Sequence, residues 1–82
     1  MDWCIESMMD NLIVGVRQTR KFLHRGEAAE VLMALDADAA ITGPLREFCE
    51  RENVPVVDFP TMAELGKYCG IDIGASMACR IK

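Results

Sequence analysis

Two hydrophobic periodicities take turns along this chain, and their alternation restricts its fold more than any other property. Leu12-Ile13-Val14 is a compact β-branched run that stops at Gly15, the pattern of a buried strand entering a tight turn. From Val16 the spacing becomes helical: Val16, Thr19, Phe22 and Leu23 share one side at about 100° per residue, and Gly26 closes the segment after Arg25. Residues 30–35 form a near-continuous apolar run of strand length, followed by turn chemistry in Asp36-Ala37-Asp38. Helical spacing then returns, with Ile41, Leu45, Phe48 and Cys49 on one face and Arg46, Glu47, Glu50 and Arg51 on the other. Gly43 and Pro44 suit the start of that helix, which should end near Asn53. Residues 54–59 read as a strand bracketed by Pro55 and Pro60, and therefore as a sheet edge. Thr61-Met62-Ala63-Glu64 is a capping box that opens a helix running to Cys69 and ending at Gly70. A small-residue loop over residues 71–76 leads into a last strand over residues 77–81. Before all of this, Ile5, Met8, Met9 and Leu12 recur at helical intervals, giving a short helix over residues 3–11. Strands alternating with helices predict an α/β fold, a three-layer α/β/α sandwich in which most successive strands run parallel.

Eighty-two residues fit one domain, spanning residues 1–82, with a core that is only just large enough. Aromatic residues make up 6% of the chain against 51% hydrophobic, so Val, Ile, Leu, Met and Ala must build that core, with Met8, Met9 and Met62 as filler. The longest apolar stretch, residues 12–16, is broken by Gly15 and falls far short of the roughly 20 residues that span a membrane. The N-terminus has neither the basic start nor the apolar stretch of a secretion signal. Cys4, Cys49, Cys69 and Cys79 are too widely spaced for a zinc knuckle or a redox pair. The expectation is a soluble cytoplasmic protein with reduced cysteines, no metal and no cofactor.

The net charge of −4 argues at first against a nucleic-acid partner, but its distribution reverses that impression. Arg17, Arg20, Lys21 and Arg25 occur with no acid among them, leaving five basic against thirteen acidic residues elsewhere. Salt at physiological strength screens the distant acids beyond about 8 Å. On a helical projection Arg17, Arg20, Lys21 and His24 fall within a sector of about 100°, with Gln18 and Arg25 at its margin. The turn at Gly15 sets unpaired backbone N–H groups and the positive end of the helix dipole beside this stripe. Ordinary surface helices mix both signs, as residues 41–53 do, so the stripe points to a negatively charged partner.

Charge and spacing do not choose among RNA, DNA and a phosphorylated metabolite. An enzyme is the weakest reading, because there is no glycine-rich phosphate loop, no set of metal ligands and no nucleophile matched to a base. His24 has no such nucleophile, and Asp36 and Asp38 read as turn and cap residues. A protein-interaction module docking through Glu47, Glu50 and Glu52 is the alternative from another class.

Gly15-Val16-Arg17-Gln18-Thr19-Arg20-Lys21, followed by Arg25-Gly26, resembles the kink-turn-binding family of large-subunit ribosomal proteins, the L-seven-Ae and L-thirty-e family, and especially its short bacterial members. The likeness continues in one register through Asp36-Ala37-Asp38, Val54-Pro55-Val56, Leu65-Gly66-Lys67, Cys69-Gly70 and Gly74-Ala75-Ser76. It implies a four-stranded mixed sheet of order 1-4-2-3 with an antiparallel last strand. It also implies a noncatalytic protein bound to structured RNA, a kink-turn in ribosomal RNA or an mRNA leader, as a monomer associated with the ribosome or a regulatory RNA. In this family the contact surface joins Gly15, Val16, Arg17, Gln18, Arg20 and Lys21 to the loop carrying Ile71, Ile73, Gly74, Ala75 and Ser76. The resemblance implies Arg17 and Gln18 against guanine edges, which fits a guanidinium bonding guanine O6 and N7 and an amide that both donates and accepts. Arg20, Lys21 and Arg25 are expected on phosphates, and the loop over unstacked bases. Archaeal and eukaryotic members carry Asn-Glu where this chain has Arg17-Gln18. Glu27, Glu30 and Asp72 are expected near the RNA path, and Asp72, within the contact loop, would oppose phosphate.

Overall fold

A computed structural model describes residues 11–82, and the expected helix over residues 3–11 lies, apart from Asn11, outside them. The elements follow as β1 (Leu12–Val14), α1 (Val16–His24), β2 (Ala28–Ala34), α2 (Ala39–Glu52), β3 (Val56–Phe59), α3 (Met62–Cys69) and β4 (Met77–Ile81). The strands form one mixed sheet in the order β1-β4-β2-β3. β4 runs antiparallel to both its neighbours, while β2 and β3 are parallel. This is the α/β sandwich that the pattern and the resemblance called for, and β3 lies at the sheet edge as its flanking prolines required.

Strand alternation divides the core in two. Ile13, Val31, Met33, Met77 and Cys79 point to one face, where they pack with Leu23 of α1 and with Leu45 and Cys49 of α2. Leu12, Leu32, Ala34 and Ala78 point to the other, against Leu65 and Cys69 of α3 and Ala75. Among the described residues three free cysteines, Cys49, Cys69 and Cys79, are buried in these layers. Burial pushes the Cys79 thiol from its ordinary 9.0 up to about 11, against the opposing pull of the adjacent Thr19 hydroxyl, and raises Cys49 and Cys69 as well. They therefore remain protonated packing groups at neutral pH rather than nucleophiles.

Four details depart from the sequence pattern. β3 starts at Val56 instead of residue 54, because Pro55 has no N–H to give to the ladder. β2 starts at Ala28 and ends at Ala34, so Leu35 is 62% exposed in the turn instead of closing the strand. α2 starts at Ala39, which leaves Pro44 inside the helix rather than at its start. The cause is Asp38: its carboxylate accepts from the Ala40 N–H at 2.9 Å and its carbonyl accepts from the Ile41 and Thr42 N–H groups, so the helix begins before the proline is reached. With that start the inward positions are Thr42, Leu45 and Cys49, and Ile41, expected on the core face, is 41% exposed.

Sheet topology determines where the site can be. β1 and β2 are both antiparallel to β4, and β3 is parallel to β2, so β1, β2 and β3 share one direction. Their C-terminal ends, the beginnings of α1, α2 and α3, and the loop entering β4 consequently meet at one end of the sandwich. In open α/β sheets this is the end at which ligands collect.

Candidate nucleic-acid interface

Gly15 has φ +117° and ψ 148°, a backbone conformation open to glycine and strained for other residues. Its N–H donates to the Met77 carbonyl at 2.9 Å, and its own carbonyl accepts from the Thr19 N–H at 3.0 Å. One residue thus ties β1 to the start of β4 and opens α1. Among the described residues no side chain caps α1 at this end, and its first turn holds no acid, so the outward N–H groups and the dipole are open to an anion.

From this start Arg17, Arg20 and Lys21 extend as exposed side chains, while Val16 and Gln18 are half-buried. Three ion pairs occur among the described residues: Arg25 with Glu27 at 4.0 Å, Arg46 with Asp58 at 2.9 Å and Arg80 with Glu30 at 3.0 Å. Arg17, Arg20 and Lys21 belong to none of them. The Gln18 Oε1 atom is buried and lacks a hydrogen-bond partner among the described residues, a vacant acceptor at the root of the basic stripe.

The second half of the interface is the loop of residues 71–76, held against α3 through its backbone. The Ile71 N–H donates to the Gly66 carbonyl and the Ala75 N–H to the Met62 carbonyl, both at 3.0 Å. The Ser76 hydroxyl donates to the Met62 sulfur at 3.4 Å, and the Ser76 carbonyl accepts from the Ala34 N–H. Gly66 permits this approach, since a Cβ there would collide with the Ile73 carbonyl oxygen. A Cβ added at Gly74 would come within 3.2 Å of the Met62 Cβ, a tight contact that the side chain there would have to yield to. So held, the loop presents Ile73 at 72% exposure with Gly74 and Asp72 beside it, whereas Ala75 is buried and supports the loop from beneath.

The fold brings together Gly15, Val16, Arg17, Gln18, Arg20, Lys21, Ile71, Ile73, Gly74, Ala75 and Ser76, but not Arg25. Arg25 caps the far end of α1, roughly 15 Å from Gly15 at the helical rise, where it pairs with Glu27 and lies over the Phe22 ring. Glu27 and Glu30 stay with it at that distant end, and Glu30 is engaged by Arg80. Of the three acids expected near the RNA path, Asp72 alone is at the assembled end. Two residues that the sequence reading did not single out belong there as well. Leu35 is exposed next to the Ala34–Ser76 contact, and Gly66 is the residue whose missing side chain seats the loop. The breakdown of periodicity after Ala34 and a glycine inside a helical pattern were the available signals.

Residues 6–82 match the model of the Ribosomal protein L7Ae/L30e/S12e/Gadd45 family, and the chain belongs to that family. It is 38% identical over 69 residues to RNA-binding protein TTE2299 of Caldanaerobacter subterraneus, covering 84% of each chain. It is 40% identical over 65 residues to RNA-binding protein YbxF of Geobacillus stearothermophilus, covering 79% of each. Large ribosomal subunit protein eL8 of Methanobrevibacter smithii is 32% identical over 66 residues, which are 79% of this chain and 54% of that protein. Among solved structures, the Giardia lamblia 15.5kD RNA binding protein superposes with a TM-score of 0.80 at 30% identity, over 88% of this chain and 61% of that one. These relatives are named as RNA-binding or ribosomal proteins, not as enzymes.

Proposed function

We propose that this protein is a noncatalytic RNA-binding protein that recognises kink-turn or similarly kinked structured RNA, acting in the cytoplasm as a monomer bound to ribosomal RNA or to an mRNA leader. The observation that carries the reading is the Gly15 to Met77 hydrogen bond, which couples the uncapped start of α1 to the loop of residues 71–76. A kinked RNA offers closely spaced phosphates beside exposed base edges, and this surface has cations and an exposed apolar loop at the same end of the sandwich. Arg17 and Gln18 read guanine edges, Arg20 and Lys21 neutralise phosphates, and Ile73 with Gly74 covers splayed bases. RNA-binding relatives that match most of the chain support the same class of partner.

Titration with a kink-turn hairpin, alongside a control hairpin whose tandem G·A pairs are replaced by Watson–Crick pairs, tests the proposal. Preference for the kinked hairpin is expected. Equal and weak binding to both would remove the kink-specific claim.

A further inference from the structure

A second feature of the surface begins where Arg20 leaves the patch just described. Between α1 and α2 lies a cavity of about 330 Å³ lined by Arg20, His24, Ile41, Pro44, Phe48 and Arg51, together with Ala40 and Leu45. That volume is at the lower end of the range for small-molecule sites. The floor is apolar and aromatic, with the His24 and Phe48 rings 4.5 Å apart at an interplanar angle of 38°. The rim is cationic: Arg51 sits 5.3 Å from the centre of the Phe48 ring, and Arg20 stands opposite on α1. Among the described residues no acid lines the cavity, although Glu47, Glu50 and Glu52 are exposed on the same helix. Neither arginine forms an ion pair among the described residues.

We infer that this groove holds one unpaired nucleobase from the RNA strand flanking the kinked element, with the base against His24 and Phe48 and its phosphates between Arg20 and Arg51. The inference rests on the RNA-binding reading and extends it from a structured element to an adjoining single strand. Charge and shape favour that occupant: a nucleotide joins a flat apolar ring to a phosphate, and the groove joins an aromatic floor to two arginines. Arg20 belongs to both surfaces, so a strand leaving the α1 terminus passes from one to the other along a single helix.

Two measurements on the full chain test it separately from the kink-turn reading. In the first, a single-stranded hexauridine is titrated into the protein and followed by NMR. Shifts centred on His24, Ile41 and Arg51 are expected; shifts confined to the Gly15 end, or none, overturn the proposal. In the second, a kink-turn hairpin is compared with the same hairpin carrying three unpaired nucleotides. One stacked base should tighten binding about fivefold or more, and Arg51→Ala or Ile41→Ser should abolish that gain without changing affinity for the unextended hairpin. Equal affinity of the wild-type protein for both RNAs overturns the proposal. Failure of the unextended hairpin to bind counts against kink-turn recognition instead, while the hexauridine result still decides the groove. Concentration-dependent dimerisation that broadens the groove resonances without RNA assigns the surface to a second copy and also overturns it.

Discussion

Three helices begin at the same end of the sandwich, and they treat their first turns differently. α2 is closed by the Asp38 carboxylate on Ala40. α3 is closed twice: the Thr61 hydroxyl accepts from the Glu64 N–H at 3.1 Å, and the Asp36 carboxylate accepts from the Met62 N–H at 2.8 Å. α1 has only Gly15, without a capping side chain, followed by two arginines and a lysine within its first six residues. Capped termini have already spent their N–H groups and carry an acid to oppose the dipole, whereas α1 keeps its donors and adds cations. The difference separates helix starts closed by side chains from one whose donors stay open.

Substitutions can break this contrast at each of its parts. The largest effect is expected from Gly66→Ala, because the new methyl meets the Ile73 backbone rather than a movable side chain. It should cost about 1–3 kcal/mol of stability, seen by thermal or urea denaturation, and lower the RNA affinity of the folded protein more than any single surface change by displacing the loop from α1. Arg17→Ala should leave stability unchanged and remove preference for the kinked hairpin over its control by roughly 5- to 150-fold, the 1–3 kcal/mol of one bidentate base contact, measured by paired titrations. Lys21→Ala should weaken both RNAs alike and reduce the slope of log affinity against log salt by about 1. Thr61→Ala should do the reverse of Arg17→Ala, lowering stability by about 1 kcal/mol with no change in RNA affinity. Loss of RNA binding in Thr61→Ala, or an Arg17→Ala variant that still discriminates, would erase the distinction between capped and open termini.

Part of this arrangement was legible residue by residue. The Thr61 cap, the glycine stops at Gly26 and Gly70, and the edge position of β3 each follow from chemistry within a few residues, and the structure has all of them. Gly26 even closes α1 with the expected pair of bonds, its N–H to the Leu23 carbonyl and the Glu27 N–H to the Phe22 carbonyl. Proline is a strong local signal for a helix start, but the Asp38 cap is stronger and begins α2 at Ala39. Arg25 is a neighbour of Arg17, Arg20 and Lys21 in sequence and in charge. A helix nonetheless separates its two ends by its length, and the distant end has its own acid in Glu27.

The sequence by itself determined the alternation of strands and helices, the concentration of cations in α1 and the need for glycine at position 15, because these depend on side-chain periodicity, charge and backbone sterics within a short stretch. No pattern within the chain brings residues 71–76, more than fifty positions away, to the start of α1: family resemblance implied the pairing, and the tertiary structure decided how it is made, with Gly66 seating the loop. The physical reason is sheet order. Inserting β4 antiparallel between β1 and β2 carries its entering loop to the C-terminal ends of the other strands, a consequence of pairing between distant segments that no local pattern records.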